Sequence, residues 1–151
     1  MRSKRLQPVM KVAESRERDA ARLLGEAQRE REAQEARLAE LAAYRDDYAQ
    51  RFLAQGDGGL DAARTRDYRV FLARLNEAIH FQRRRVEQCR LDCEATRQRW
   101  LDTRARARAV GKAVARCRQQ ELRVAARREQ RECDEYACRG RSGGHGEKDR
   151  G

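Results

Sequence analysis

Apolar residues recur at alternating steps of four and three along two long stretches of this chain. The walk that begins at Leu6 and ends at Phe52 visits fourteen positions, and ten of them are apolar. A second walk, from Tyr68 to Val124, visits seventeen positions, of which thirteen are apolar or cysteine. A repeat of 3.5 residues held over this length, with charge at most other positions, predicts helices that pair in a left-handed coiled coil.

The composition supports an extended helical fold. Only 39% of the 151 residues are apolar and 40% are charged, which is too polar for a layered globular core but sufficient for a narrow apolar stripe. Good helix formers dominate, and the single proline, Pro8, lies near the start. We therefore expect an all-α protein.

A glycine cluster interrupts the helical pattern between the two walks. The segment from Gly56 to Gly59 contains three glycines, which end regular structure because glycine adopts left-handed backbone angles without steric cost. Two long helices joined by a short turn fold back on each other, so that each covers the apolar stripe of the other. We predict one antiparallel coiled-coil hairpin over residues 1–139, with helices at about 7–54 and 61–139 and the turn at 55–60.

The two predicted arms differ in length. Asp61 is the expected N-cap of the second helix. With the turn centred near Gly58, Leu6 lies opposite about Val110, so the second helix is expected to overhang beyond that point without cover from the first. Residues 140–151 are glycine-rich and polar and are expected to form a flexible, disordered tail.

The net charge of +11 is concentrated near both chain ends. Residues 1–11 carry four basic side chains and no acid, and residues 104–128 carry nine against one acid, Glu121. In an antiparallel hairpin these segments meet, which predicts a basic tip that contacts an acidic partner. A solvated helix face is the alternative. Nucleic-acid binding is a second and weaker alternative, because the basic tip lacks aromatic residues for base stacking and any DNA-binding motif.

Five aromatic residues flank the turn. Tyr48, Phe52 and Tyr68 fall on the apolar stripe and are predicted to be core, whereas Tyr44 and Phe71 lie off it. Either these two large side chains only extend beyond the edge of the packed seam, or they form an exposed apolar patch of the kind that binds a protein partner.

The sequence contains no motif for chemistry. Cys89, Cys93 and Cys117 fall on the apolar stripe, so we expect buried apolar side chains rather than metal ligands. No metal-binding spacing, phosphate loop or catalytic motif is found, so no cofactor, metal site or enzymatic activity is expected. No apolar run of about 18 residues and no secretion signal is found, which predicts a cytoplasmic protein with reduced thiols.

Three segments resemble the FliJ family, the coiled-coil component of the flagellar type III export apparatus: AARLLGEAQRE at 20–30, LAAYRDDYAQRF at 41–52 and RDYRVFLARLNEAIHFQ at 66–82. The resemblance covers about residues 4–130. It implies a stalk, similar to the gamma subunit of rotary ATPases, that binds the export ATPase ring, the cytosolic domain of the membrane export gate and export chaperones. It also implies a location at the flagellar base, on the cytoplasmic face of the inner membrane. A generic dimerising scaffold is the alternative.

The resemblance also suggests where the two main partners bind. By position, the gate-binding patch of the family falls on six residues: Leu41, Tyr44, Tyr48, Phe71, Leu75 and Ala78. The expected ATPase-binding tip combines the resemblance with the placement of charge, and its residues are Arg2, Lys4, Arg5, Lys11, Arg108, Lys112, Arg116, Arg118 and Arg123. No nucleic acid partner is expected.

Overall fold

The computed structural model describes residues 1–55 and 61–143. Within them the chain forms two helices, α1 (Arg2–Gln55) of 54 residues and α2 (Ala62–Ser142) of 81 residues. The helices pack antiparallel. This confirms the predicted all-α hairpin with a longer second helix. The predicted turn beyond Gln55, and the predicted tail beyond Gly143, lie outside the described residues.

The apolar stripe of the sequence is the seam between the helices. All fourteen positions of the first walk, from Leu6 to Phe52, are buried or half-buried. The same holds for every position of the second walk from Tyr68 to Glu121, whereas the last position, Val124, is exposed. Since the intervening charged positions are mostly exposed, burial of this stripe is what holds the two helices together.

Asp61 begins α2 as an N-cap, as predicted. The backbone N–H of Ala63 donates to Asp61 Oδ1 at 3.2 Å, and the N–H of Thr65 donates to the backbone oxygen of Asp61 at 3.2 Å. At its other end α2 runs to Ser142, three residues past the predicted Arg139. The first residues of the expected tail are therefore helical.

The start of α1 differs from the prediction, because the helix begins at Arg2 rather than near Gln7. Glu121 on α2 explains the difference. The backbone N–H of Ser3 donates to Glu121 Oε1 at 3.0 Å, and its hydroxyl donates to Glu121 Oε2 at 2.6 Å. A carboxylate that accepts hydrogen bonds from a helix N-terminus stabilises its first turn. This capping extends α1 even though Pro8 removes one intrahelical bond.

Contacts within the chain divide it into two compact units. We call Arg16–Thr103 the turn unit, and Met1–Ser15 together with Arg104–Gly151 the terminal unit. Each unit contains a part of both helices, so each has its own section of the seam.

The core of the turn unit consists mainly of residues of α2. Leu75, Ile79, Val86 and Cys93 are its buried apolar side chains. They are spaced four, seven and seven residues apart, which places them on one helical face, toward α1. Cys93 is therefore buried as predicted, while Cys89 is half-buried.

A buried polar layer crosses the seam of the turn unit. Gln82 Nε2 donates to the backbone oxygen of Gln34 at 3.0 Å and to its Oε1 at 2.9 Å, and Gln34 Nε2 donates to Glu30 at 2.8 Å. Exposed ion pairs flank this layer, Glu30 with Arg85 at 3.9 Å and Glu35 with Arg90 at 3.2 Å. Because sliding one helix would break these bonds, the layer fixes the register of α1 against α2.

In the terminal unit, α1 covers α2 further than predicted. Val114 is buried, and the contact between Ser3 and Glu121 extends the covered part of α2 to residue 121. The expected end of cover near Val110 is therefore wrong, because α1 starts earlier and is capped by Glu121. From Leu122 to Gly143 every residue is exposed, so the overhang exists but begins eleven residues later than predicted.

Candidate functional site

The aromatic residues of the turn unit form one continuous cluster across the seam. The Phe52 and Tyr68 rings stack with centroids 3.7 Å apart, and Tyr48 stacks on Tyr68 at 5.5 Å. Phe71 lies against Tyr48 at 4.5 Å and meets the edge of Tyr44 at 6.3 Å. Such pairs stabilise beyond their buried area and hold the rings in one arrangement.

The cluster has a covered side and an open side. Tyr48, Phe52 and Tyr68 are half-buried, in agreement with their predicted place on the stripe. Tyr44 is 53% exposed, and Phe71 is half-buried beside it. The off-seam pair therefore presents aromatic surface to solvent while its inner neighbours keep it rigid.

The other predicted patch residues divide between surface and core. Ala78 is exposed and Leu41 is half-buried, so both are accessible near the aromatic pair. Leu75 is only 8% exposed and belongs to the seam. Its side chain packs between the helices, and its expected part in gate binding stays a prediction.

Two shallow grooves run beside the aromatic stack. Their volumes are about 240 Å³ and 190 Å³, below the size of pockets that enclose small ligands. They share Tyr48, Phe52 and Gln55. Grooves of this size beside exposed aromatic rings suit the side chains of a protein partner.

The terminal unit carries nearly all of the net charge. Residues 1–15 have four basic side chains and one acid, and residues 104–143 have twelve and five, a net charge of +10. Residues 16–103 have eighteen and seventeen, a net charge of +1. All nine residues of the expected basic tip belong to the terminal unit and all are exposed.

Several of these cations share one face of α2. Arg108, Lys112 and Arg116 follow one another at steps of four, and Arg123 lies seven residues further on. At about 100° per residue this spacing aligns them on the side of the helix that faces away from buried Val114. The result is a solvent-facing basic ridge, with Arg118 on a different side of the helix.

Glu121 interrupts the basic terminal unit. The hydrogen bonds from the Ser3 hydroxyl and backbone, together with the nearby positive charge of Arg118, lower the pKa of this carboxyl. The ionised form is thus favoured, which keeps Glu121 available to cap α1.

A larger groove lies where α1 begins. It has a volume of about 490 Å³ and a mostly apolar lining. The groove was not predicted from the sequence. Its signal is the apolar walk of α2, which continues to Val124, beyond the Glu121 that contacts the start of α1. The groove is lined by Met1, Arg2, Cys117, Gln120, Glu121, Val124, Ala125 and Arg128.

The described residues contain neither a metal-binding cluster nor a membrane-spanning helix. Across residues 1–55 and 61–143, no three His, Cys, Asp or Glu side chains come together to hold a metal ion. Neither α1 nor α2 has an apolar stretch long enough to cross a membrane. What the two units offer is protein surface, aromatic in the turn unit and basic in the terminal unit.

Two long helices packed antiparallel along one apolar stripe place the protein in the class of coiled-coil hairpins. The family model described as flagellar FliJ protein matches residues 2–143, and the chain belongs to the FliJ family. No curated protein of similar sequence was found. A search of solved structures likewise gave no match.

Membership of the family establishes the general role. The protein is a non-enzymatic stalk component of the flagellar export apparatus and works with the other parts of that apparatus. The family acts at the base of the flagellum. The family predicted from the three sequence segments is therefore confirmed, and the match covers all of α2, which ends at Ser142.

Proposed function

We propose that this protein links the export ATPase to the export gate. In this proposal the turn unit binds the cytosolic domain of the gate, and the terminal unit binds the ring of the ATPase. The observation that carries the proposal is the separation of surfaces: the aromatic cluster lies in one unit, and a net charge of +10 lies in the other.

The gate-binding surface centres on Tyr44 and Phe71. Partly exposed aromatic side chains held by packing lose little conformational entropy on binding, and they are frequent hot spots of interfaces. Tyr48 and Leu41 are half-buried and contribute the parts of their side chains that remain accessible. Ala78 is exposed and has a small side chain, so a partner can approach the helix closely there. Leu75 packs in the seam between the helices beneath this surface.

The ATPase-binding surface is the basic part of the terminal unit. A dense positive field speeds association with an acidic partner and orients it before contact. The basic ridge of α2 faces solvent, and the exposed helical segment from Leu122 to Ser142 lies beyond the contact between Ser3 and Glu121. A ring with an acidic inner surface would contact both features at once.

The same proposal places the protein on the cytoplasmic face of the inner membrane, where the gate and the ATPase meet. Export chaperones are further partners implied by the family. No surface of the described residues is assigned to them.

The mechanism is mechanical, with no reaction on this chain. Hydrolysis of ATP in the ring would change the preferred orientation of the terminal unit. Because α1 and α2 each run through both units, this change of orientation would be transmitted to the turn unit along the two helices. Contact between the turn unit and the gate would then couple hydrolysis to export.

Titration of the purified gate domain with wild-type protein tests the gate contact. Tyr44→Ala combined with Phe71→Ala removes the exposed rings, and we expect the affinity to fall at least about 30-fold, which corresponds to about 2 kcal/mol, the lower bound for a single hot-spot residue. Helicity measured by circular dichroism should stay unchanged.

Charge reversal at Arg116, Arg118 and Arg123 is the matched control. These residues are exposed and lie in the terminal unit, so their variant should bind the gate domain within about threefold of wild type. Unchanged gate binding by the aromatic double variant would contradict the proposal.

A further inference from the structure

The outer face of α2 in the turn unit carries apolar residues that neither the seam nor the aromatic patch uses. Val70, Phe81 and Leu91 are 49%, 58% and 57% exposed. They are spaced eleven and ten residues apart, which places them on the side of α2 opposite buried Ile79. Large apolar side chains that repeat along a solvent-facing helix mark a contact surface.

Two opposite charges lie among them on the same face. Glu77 and Arg84 are exposed, stand on either side of Phe81 and form no ion pair with any described residue. They are seven residues apart, about 10 Å along the helix, too far to pair with each other. Each therefore has charge available for a partner.

This face of α2 is complementary to the same face of a second copy that runs in the opposite direction. Pairing two copies antiparallel about a point beside Phe81 sets Val70 opposite Leu91 and Glu77 opposite Arg84, twice each by symmetry. Parallel pairing would instead place like charges together. An interface in which one patch meets the same patch is the usual form of a two-fold dimer.

We propose that a second copy of this chain docks antiparallel on this face of α2. The two Phe81 rings lie at the centre, two reciprocal Glu77–Arg84 ion pairs flank them, and Val70 and Leu91 close the ends. The inference goes beyond the proposed function and uses none of the residues assigned there to the gate or the ATPase.

Only three large apolar side chains per copy enter this interface, so it is a weak one. Sedimentation equilibrium over roughly 10 µM to 1 mM covers the range in which small interfaces are half-occupied. Wild-type protein should show a monomer–dimer equilibrium in this range, and Phe81→Ala should weaken it by at least about 10-fold.

Charge exchange tests the pairing directly. In a dimer of the Glu77→Arg variant, arginines at positions 77 and 84 face each other twice, and in a dimer of the Arg84→Glu variant glutamates do. Each variant should therefore associate with itself at least about 10-fold more weakly than wild type. An equimolar mixture restores both ion pairs between unlike chains, and it should associate within about threefold of wild type.

The control mixture combines Arg84→Glu with the triple variant Arg84→Glu, Glu32→Arg, Glu40→Arg, whose two added arginines replace exposed acids on α1. This mixture has the same net charges as the test mixture, but glutamates face each other at positions 77 and 84 in every pair of chains, so it should remain as weak as Arg84→Glu alone. Far-UV circular dichroism checks that every variant is folded. A wild-type protein that stays monomeric throughout, or a test mixture no stronger than the control mixture, would overturn the proposal.

Discussion

Truncation of Ile79 tests whether the narrow seam supplies most of the stability of the fold. Ile79 is 2% exposed and is the largest fully buried side chain among the described residues. Ile79→Ala removes three carbon groups, which costs about 2.4 kcal/mol at about 0.8 kcal/mol each. The cavity left behind adds to this, but a seam between two helices can partly close. We therefore expect a loss of about 3 kcal/mol in the free energy of unfolding.

Urea unfolding followed by far-UV circular dichroism measures this loss from the shift of the midpoint. Leu122→Ala is the matched control, since it also removes three carbon groups from α2, but at a position that is 71% exposed. Its expected cost is below about 0.5 kcal/mol. Alanine is the better helix former in both variants, so intrinsic propensity does not explain a difference between them.

Equal costs for the two variants would refute the reasoning. Such a result would mean that burial along the apolar stripe is not what separates the folded hairpin from the unfolded chain. A cost near 3 kcal/mol for Ile79→Ala alone would support the stripe as the source of stability.

Three further predictions concern the polar contacts and the thiols. The stabilising bond between Glu121 and Ser3 should be complete above the ordinary carboxyl pKa of 4.5 and lost as pH falls below it, because the pKa of Glu121 is lowered in the folded protein. The NMR shift of the Ser3 amide should follow this titration, and in Glu121→Gln it should not. Gln82→Leu should reduce the free energy of unfolding by about 1–2 kcal/mol in urea unfolding, because it leaves its buried partner oxygens without a donor. Cys133, which is exposed, should react with a thiol reagent in the folded protein, and Cys93, which is buried, only after unfolding.

Each of these has a clear contrary result. A Ser3 amide shift that titrates equally in Glu121→Gln would show that the carboxylate does not cap α1. A Gln82→Leu variant more stable than wild type would show that the buried amide layer is replaceable by apolar packing. Equal reaction rates for the two cysteines in folded protein would place Cys93 outside the seam.

The stripe was predictable because helical periodicity is a local property of the sequence. Every position of the apolar walk from Leu6 to Phe52 is buried or half-buried, and so is every position of the second walk from Tyr68 to Glu121. The repeat requires this burial of each of them. The cap at Asp61 was predictable for the same reason, since a side chain that bonds the backbone two residues on needs no distant partner.

The start of α1 was not predictable in this way. It depends on hydrogen bonds between Ser3 and Glu121, which are 118 residues apart. The register that brings them together is set partly by the Gln34–Gln82 layer, whose members appear in the sequence only as polar interruptions of the stripe.

The placement of the candidate site residues followed from the periodicity, whereas their role in binding stays a prediction. Tyr44 and Phe71 are expected off the seam, and the structure places them edge to face at 6.3 Å with Tyr44 largely exposed. Leu75 belongs to the patch by its position in the family and also lies on the apolar walk. Its burial agrees with its place on the walk.

The rate of ATP hydrolysis by the purified export ATPase tests the central claim most directly, that the two units serve different partners. The wild-type protein and the Tyr44→Ala, Phe71→Ala variant are predicted to stimulate hydrolysis equally. The variant with reversed charge at Arg116, Arg118 and Arg123 is predicted to stimulate it much less. Equal stimulation by all three proteins, or loss of stimulation with the aromatic variant alone, would contradict the account.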